Sequence, residues 1–302
     1  MKILYTARDF AAAKYLYHLI LASKEMGHNY SVLADPEGKG LPFLREKDEE
    51  TIERAEVKDF DVVVSGCSTP SGIEQKIIEE ATSLGKKIIL FPDTWCYATK
   101  RISCNPDLIL CIDEINAEIN SGYKTSVVGD PIKEKKIQKE ESGNKSILLA
   151  FQSEDASNAI VNVLHNFKES DQYCICPRIH PKYAKETWAV NLLAEVFEKH
   201  IALDTETPTS VLEKNCGITI STFSGALKVS SFNGKQAVSA MSEEARKRML
   251  ESTGLDYYPL TKFGFATEIT AGKSWGIKDL KAKKYNPPKF NKEKYLQVLA
   301  SL

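Results

Sequence analysis

The chain has 302 residues, enough for two hydrophobic cores of about 150 residues each. Its 42% hydrophobic and 27% charged residues are typical of a globular protein that folds in water. The net charge of −1, from 40 basic and 41 acidic residues, excludes the bulk basic excess typical of proteins that grip duplex DNA, and leaves room for a local basic patch.

No apolar run approaches the ~18 residues that a membrane-spanning helix needs, and the N-terminal sequence "MKILYTARDF" lacks the apolar stretch of a secretory signal. The seven cysteines are odd in number and lie mostly in apolar runs, a pattern typical of buried, reduced thiols. Cys174 and Cys176 form C-x-C, and no second pair stands at zinc spacing. We therefore expect a cytoplasmic protein, at most peripheral to a membrane and without stable membrane insertion, that uses no metal and no cofactor.

The first half of the chain alternates short apolar runs with helical patterns. The apolar runs predict strands at 2–6, 30–34, 61–65, 87–91, 107–112 and 125–129. A helical pattern follows the first strand up to Gly27, and a second helix is predicted at 72–84. Because the strands are continuously apolar, helices should cover both faces of the sheet, as in a doubly wound parallel α/β fold.

A polar segment separates this half from a second one. Residues 133–145 contain one apolar residue in thirteen, which predicts a solvated linker. The same rhythm restarts beyond it, with strands predicted at 146–151, 172–176, 200–204, 217–222 and 236–240. We therefore predict an N-terminal Rossmann-like domain at 1–132, a C-terminal Rossmann-like domain at 145–286, and a closing helix at 287–302 that packs back on the N-terminal domain.

Residues that follow the predicted strands are the first candidates for a site, because ligands of open α/β sheets bind beyond the carboxyl ends of the strands. In the second half these candidates for substrate binding are Gln152, Ser153, Arg178, Ser221, Thr222, Ser224 and Gly225. Hydroxyl groups and backbone N–H groups at the start of a helix form a cradle for phosphate. Serine and threonine there are also common helix N-caps, and this stretch alone does not decide between the two interpretations.

The order of elements around 221–225 is similar to that of a known superfamily. A helix, an apolar strand, a Ser/Thr-Gly turn, a helix, a Gly-Lys pair and a further strand follow one another at 205–240. This order resembles the donor-binding half of GT-B glycosyltransferases and of their relatives, the sialyl-, Kdo- and CDP-glycerol-type transferases and the UDP-sugar 2-epimerases. The runs "FPDTW" (91–95), "NPDLILCIDEIN" (105–116) and "VVGDPI" (127–132) resemble the acceptor-side half and the hinge. The resemblance implies two Rossmann-like domains that face a cleft, with a nucleotide-sugar donor held by the second.

A histidine-proline pair adds a motif to this resemblance. Several bacterial transferases of this fold carry His-Pro after a strand of the C-terminal domain and a Ser-Ser or Ser-Thr pair one or two units later. His180-Pro181 and Ser221-Thr222 match both positions in order. The resemblance implies that His180 contacts the donor phosphate and assists the leaving group, while Ser221 and Thr222 bind the same phosphates. Arg178 could add a bidentate clamp, since cationic and hydroxyl donors stabilise a leaving phosphate without a metal. The alternative is a surface histidine before a turn-forming proline.

The resemblance places the acceptor, and with it a general base, in the first half of the chain. Asp9 follows the first predicted strand and Asp93 the fourth, so each is a candidate catalytic carboxylate. Each is equally a candidate helix N-cap. Glu114 is a third candidate, and Arg8 could hold an anionic acceptor. Sialyltransferases also carry an acidic pair followed by glycine in this half, which is absent here, so the donor sugar stays open.

Other enzyme classes lack their motifs in this sequence. No G-x-G-x-x-G follows the first strand, which argues against a classical NAD or FAD enzyme. Neither a P-loop nor G-x-S-x-G occurs, which argues against a P-loop NTPase and an α/β-hydrolase. The small-residue loop at 65–72 is interpreted as structural. The alternatives to a glycosyltransferase are a UDP-sugar 2-epimerase-like enzyme, a glycosyltransferase acting on modified DNA bases, and a non-catalytic nucleotide- or sugar-binding protein.

The C-terminal stretch 273–294 is rich in lysine, with eight lysines against Asp279 and Glu293. One interpretation is a solvated face. The other is contact with an anionic acceptor such as a lipid-linked glycan, a teichoic-type polymer or a nucleic acid. The acceptor is therefore left open among glycan, lipid-linked and polyanionic molecules, DNA included.

Overall fold

The structure is a computed structural model that describes residues 1–131, 145–179, 186–199 and 215–301. The chain divides into two compact units. The first unit comprises Met1–Glu134, Ser252–Gly254 and Pro287–Leu302, and the second comprises Lys135–Glu251 and Leu255–Asn286. Most of the predicted linker and the strand predicted at 200–204 lie outside the described residues.

The strands of the described chain coincide largely with the apolar runs of the sequence. They are Lys2–Ala7 (β1), Asn29–Ala34 (β2), Val62–Ser65 (β3), Lys87–Leu90 (β4), Leu108–Cys111 (β5), Thr125–Val127 (β6), Ser146–Phe151 (β7), Cys174–Ile179 (β8), Ile218–Ser221 (β9), Gln236–Met241 (β10) and Thr267–Thr270 (β11).

The α-helices of the described chain lie between these strands and at the C-terminal end. They are Phe10–Glu25 (α1), Gly40–Glu46 (α2), Ile73–Ser83 (α3), Ala98–Arg101 (α4), Glu114–Ile119 (α5), Glu154–His165 (α6), Thr187–Lys199 (α7), Gly225–Phe232 (α8), Glu243–Thr253 (α9), Pro259–Lys262 (α10) and Lys292–Ala300 (α11). None of these helices is long and apolar enough to cross a lipid bilayer.

Each unit is built on one parallel sheet. The first has the strand order β2-β1-β3-β4-β5-β6, and the described strands of the second have the order β11-β10-β9-β7-β8. The inner strands β3 of the first sheet and β9 of the second are buried along their whole length. The two parallel sheets confirm the predicted doubly wound α/β class with two Rossmann-like sheets. The physical reason is that continuously apolar strands need helices on both faces of the sheet.

The strand predicted at 172–176 is wrong in its bounds. The observed strand β8 runs on through Pro177 and Arg178, paired with β7 from Ser146 opposite Cys174 to Phe151 opposite Ile179. β8 lies at the edge of the described sheet, and a proline, which has no N–H group, is tolerated on an edge strand. Arg178 is therefore the last but one residue of a strand and not part of a loop.

The C-terminal segment of the first unit is fixed to the sheet by buried hydroxyl groups. The Tyr5 hydroxyl lies 2.6 Å from the Tyr295 hydroxyl of α11 and 2.7 Å from Ser23 Oγ of α1. Burial raises the pKa of Tyr5 to about 12. The chain entering α11 runs beside Gly129, where an added Cβ would lie 2.1 Å from the Lys289 carbonyl oxygen. This close backbone approach requires glycine.

Candidate functional site

Arg8 and Asp35 follow β1 and β2 at the carboxyl edge of the first sheet. The Arg8 Nε atom lies 3.3 Å from Asp35 Oδ2, and the same guanidinium donates from Nη1 to the Pro70 carbonyl oxygen at 3.3 Å. Arg8 Nη1 is also 3.6 Å from Asp9 Oδ1. Two carboxylates therefore lie against the single positive charge of Arg8.

The loop after β3 closes on this ion pair. Gly72 has φ +53°, and a Cβ added there would lie 2.5 Å from Asp35 Oδ2 and 2.6 Å from Arg8 Cδ. A side chain at this position would collide with both partners, so glycine is required for the loop to pack against them. The stretch 65–72, interpreted from sequence as structural, thus forms a wall of the candidate site.

Glu74 is a buried acid in the first turn of α3. Its side chain accepts hydrogen bonds from the Ser68 backbone N–H at 2.8 Å, the Ser68 hydroxyl at 2.9 Å and the Arg8 backbone N–H at 3.2 Å. Burial raises the pKa of the Glu74 carboxyl to about 8, although the hydrogen bonds from Ser68 and Arg8 lower it. Glu74 therefore links the ends of β1 and β3, and its proton state is coupled to the shape of the loop.

Asp9 stands at the N-cap position of α1 but does not cap the helix with its side chain. Its Oδ2 atom accepts a hydrogen bond from the Thr69 backbone N–H at 3.1 Å, while its own N–H donates to Ser68 Oγ at 2.9 Å. The Asp9 side chain is 39% exposed. The N-cap interpretation accounts for its position in the chain but not for its carboxylate, which holds the loop and stays open to solvent.

Asp93 is more enclosed than Asp9, with 18% of its side chain exposed. Its Oδ1 atom lies 3.5 Å from Arg101 Nη1. Arg101 also donates to the Cys67 carbonyl oxygen at 3.0 Å and to the Ser252 carbonyl oxygen at 3.3 Å. Asp93 thus neutralises an arginine that joins three segments of the first unit.

The loop that carries Asp93 is held by helix α5. Asp113 caps α5 by accepting from the Asn116 backbone N–H at 2.7 Å, and it also accepts from Trp95 Nε1 at 2.9 Å. The Asn116 and Asn120 side chains donate to the carbonyl oxygens of Thr94 at 2.9 Å and Cys96 at 3.0 Å. The two runs "FPDTW" and "CIDEIN" therefore form one hydrogen-bonded module.

The remaining candidate of that module, Glu114, lies on the exposed side of α5. Among the residues that the structure describes, no group of three or more His, Cys, Asp or Glu side chains is arranged to hold a metal ion.

Ser221 ends the central strand β9 of the second unit and Thr222 follows it directly, both with fully buried side chains. The Ser221 hydroxyl donates to the Ala150 carbonyl oxygen at 2.7 Å, and the Thr222 hydroxyl donates to Gln152 Oε1 at 3.3 Å. The Ser239 hydroxyl donates to the Thr222 carbonyl oxygen at 2.7 Å. These contacts join the carboxyl ends of β7, β9 and β10 and set the position of the turn that follows.

That turn leads into α8 through Ser224 and Gly225. Ser224 Oγ accepts from the Ala226 backbone N–H at 3.1 Å, and the Ser224 carbonyl oxygen accepts from the buried Tyr258 hydroxyl at 3.0 Å. A Cβ added to Gly225 would meet no heavy atom of the described residues within 4 Å. The start of α8 is therefore fixed by the hydrogen bonds of Ser224, and the described residues leave the space beside Gly225 open.

The other predicted donor-side residues lie around the same edge of the second sheet. Ser153 occupies the N-cap position of α6 without a side-chain cap, directly after Gln152. Arg178 is half-buried in β8 and donates from Nη1 to the Pro177 carbonyl oxygen at 2.8 Å. His180 lies outside the described residues, so its predicted role stays a prediction.

Four residues that contribute to these sites were missed from sequence: Asp35, Glu74, Arg101 and Tyr258. Asp35 follows a predicted strand directly, so the rule that selected Asp9 and Asp93 would also have selected it. The other three carry no comparable signal. They reach the sites through contacts between distant segments, such as that of Arg101 with Ser252.

Searches against protein-family models and curated proteins find no match to this sequence. Solved structures do match. A provisionally assigned UDP-N-acetylglucosamine 2-epimerase from Listeria monocytogenes superposes with a TM-score of 0.58 at 11% identity, over 100% of this chain and 87% of its own. MurG from Acinetobacter baumannii superposes with a TM-score of 0.56 at 10% identity, over 99% of this chain and 90% of its own. HepE from Anabaena in complex with UDP-glucose superposes with a TM-score of 0.53 at 11% identity, over 91% of this chain and 86% of its own.

These likenesses extend over nearly the whole chain and define the class of fold. The chain has the GT-B fold, with its two Rossmann-like domains, and the resemblance noted from the sequence is confirmed at this level.

Proposed function

We propose that this chain is a glycosyltransferase that moves a sugar, or a sugar-like group, from a nucleotide-activated donor to an acceptor hydroxyl. The observation that carries the proposal is the turn after β9, where Ser224 and Gly225 open α8 with clear space in front of the glycine. A helix start of this kind attracts phosphate through its N–H groups and its dipole. The GT-B fold, shared with HepE in complex with UDP-glucose, supports the same assignment.

On the donor side, the chemistry requires a group that stabilises negative charge. When the bond between the anomeric carbon and the phosphate oxygen breaks, its electron pair stays on the leaving nucleotide. N–H groups and hydroxyls fixed in advance at that phosphate stabilise the transition state without reorganising. The buried contacts of Ser221 and Thr222 with Ala150 and Gln152 supply this rigidity. We assign the direct phosphate contact to the start of α8, with His180 and Arg178 as further donors.

On the acceptor side, we assign the general base to Asp9. The acceptor oxygen forms the new bond to the anomeric carbon, and its proton passes to the Asp9 carboxylate. Of the two catalytic carboxylates predicted from sequence, Asp9 is the more exposed, at 39% against 18% for Asp93. Asp93 is already engaged with Arg101, which favours a positioning role for it.

The charges around Asp9 also bear on the acceptor. Arg8 faces both Asp35 and Asp9, and two carboxylates against one guanidinium leave this cluster with a net negative charge. A cluster of this sign disfavours an anionic group next to the reacting hydroxyl. We therefore expect the acceptor to be neutral at the reacting end, in contrast to the anion-binding role suggested for Arg8 by the sequence.

A two-stage experiment tests the proposal. A thermal-shift screen with UDP, CMP, CDP, GDP and dTDP should show one nucleotide that stabilises the protein by about 2.7 kcal/mol at 100 times its Kd. The matching nucleotide sugar should then release nucleotide only when a hydroxyl acceptor is present. Stabilisation by no nucleotide would contradict the proposal, and binding without turnover on any acceptor would favour a non-catalytic binding protein.

The likeness to a provisionally assigned UDP-N-acetylglucosamine 2-epimerase, at a TM-score of 0.58, supports a second candidate on the same fold. An epimerase would change the configuration at C2 of the sugar without any acceptor. Incubating the chain with UDP-N-acetylglucosamine alone and following the anomeric proton signals by NMR separates the two reactions. Appearance of a 2-epimer would replace the transferase proposal.

A further inference from the structure

A groove of about 410 Å³ lies between α6 and α7 of the second unit, and none of its described lining residues belongs to the turn before α8. Its floor is apolar, formed by Leu192 and by Trp188, which packs against the core of the unit. This volume is at the lower end of the ~300–1,000 Å³ found for small-molecule sites. The groove is large enough for a sugar ring or two.

The rim of the groove is polar and regularly spaced. Helix α6 contributes Glu154 and Asn158, one turn apart, and α7 contributes Asn191 and Glu195, again one turn apart. All four side chains are exposed at the surface. Since residues at i and i+4 share one face of a helix, each of the two helices presents one amide and one carboxylate to the groove that Trp188 also lines.

We propose that this groove binds a neutral glycan. An indole ring offers a flat apolar surface on which the C–H face of a pyranose ring packs. Amide side chains both donate and accept hydrogen bonds, and carboxylates accept them, which suits the hydroxyl groups around a sugar. The lining carries two carboxylates, of which Glu195 also lies 4.0 Å from His165 Nδ1, and no Lys or Arg among its described residues, which disfavours a phosphorylated ligand such as the nucleotide donor.

This site would have a use distinct from sugar transfer. A glycan held on the donor-binding unit stays close to the enzyme between reactions and raises its effective concentration for the next one. The binding itself does not rest on the proposed function, because it can be measured without any donor or turnover.

Tryptophan fluorescence provides a direct assay. Trp95 and Trp275 are 4% and 2% exposed, whereas Trp188 is only partly buried, so quenching by acrylamide reports mainly on Trp188. Maltotetraose, cellotetraose and chitotetraose are the probes, with tetralysine as a cationic comparison. We expect at least one of the three oligosaccharides to reduce the quenching constant about twofold in a saturable manner, and tetralysine to have no effect.

A double variant locates the binding. Asn158→Ala with Asn191→Ala removes two exposed amides and should weaken oligosaccharide binding about tenfold, since each lost hydrogen bond contributes modestly. Asn29→Ala, an exposed asparagine of β2 in the first unit, is the matched control and should bind like the parent. Protection by none of the oligosaccharides, protection by tetralysine instead, or unchanged binding in the double variant would each overturn the proposal. Nucleotide binding in the thermal-shift screen should be the same in all three proteins.

Discussion

Glu74 accepts two hydrogen bonds from Ser68, one from its backbone N–H at 2.8 Å and one from its hydroxyl at 2.9 Å, while its side chain is fully buried. Burial is the dominant influence and raises the pKa of Glu74 from 4.5 to about 8. The folded protein therefore holds a proton on this carboxyl at a pH where the unfolded chain has lost it. Folding stability is linked to that proton.

The linkage predicts a definite dependence of stability on pH. The contribution of Glu74 is fully present below pH 4.5, declines as the pH rises, and is lost above pH about 8. A shift of this size corresponds to on the order of 5 kcal/mol across the window. Urea unfolding at pH 5, 6, 7, 8 and 9 should show this decline in the parent protein and a much smaller one in Glu74→Gln.

The matched control is Glu80→Gln, an exposed glutamate of the same helix, which should keep the slope of the parent. Apart from the substituted residue, the three proteins carry the same histidines and carboxyls, so the difference between parent and variant isolates Glu74. Parallel curves for the parent and Glu74→Gln would show that the carboxyl is ionised in the folded state.

Asp9 offers a test of the acceptor side. Asp9→Asn retains an oxygen for the Thr69 N–H but cannot take the acceptor proton, so kcat should fall by roughly 10²-fold or more. The Kd of the nucleotide should stay unchanged, since the donor is assigned to the other unit. Steady-state kinetics with a saturating acceptor and isothermal titration with nucleotide measure the two effects.

Asp59→Asn, on an exposed residue of the first unit, controls for the loss of one negative charge and should retain full turnover. Asp93→Asn discriminates between the two catalytic carboxylates predicted from sequence. If this variant loses turnover while Asp9→Asn keeps it, the general base is Asp93 and the assignment to Asp9 is wrong.

The sequence predicted the sheets well because their strands are continuous apolar runs, as in β3 and β7. It missed β11, where only Ile269 of four residues is buried, since an edge strand paired on one side needs no apolar run. It also missed the short helix α2, whose seven residues are too few for a helical period to show.

The candidate sites were predicted in part for the same physical reason. Residues directly after a strand, such as Asp9 and Ser224, follow from the strand assignments alone. Glu74 could not be recognised, because its importance arises from burial against Ser68 and the Arg8 backbone, and burial of an acid in the first helical turn leaves no trace in a single sequence. An acidic residue at that position ordinarily lies in solvent.

His180 carries a prediction that depends on the sequence resemblance. If its side chain assists the leaving phosphate, His180→Ala should lower kcat by roughly 10²-fold, the effect typical of losing one group that stabilises a transition state. Nucleotide affinity should fall less, because the start of α8 still contacts the phosphate. His28→Ala, at a half-buried histidine directly before β2 in the first unit, serves as the control. Normal turnover in His180→Ala would favour the alternative interpretation, a surface histidine before a turn-forming proline.

The central claim is that nucleotide phosphate binds at the start of α8. It predicts that one substitution there weakens nucleotide binding without lowering the stability of the fold. A methyl group added by Gly225→Ala meets no described atom within 4 Å, so the fold should tolerate it, and the lower backbone entropy of alanine should leave stability equal or slightly higher. The same methyl group would stand in front of the helix N–H groups and keep the phosphate away.

Nucleotide titration of Gly225→Ala beside Gly122→Ala tests this claim most directly. Gly122 also has open space around an added Cβ, and it lies in an exposed turn of the first unit. The account predicts that Gly225→Ala weakens nucleotide binding at least tenfold, about 1.4 kcal/mol, with an unchanged or higher melting temperature, while Gly122→Ala binds like the parent. Equal nucleotide affinity in both variants and the parent would contradict it.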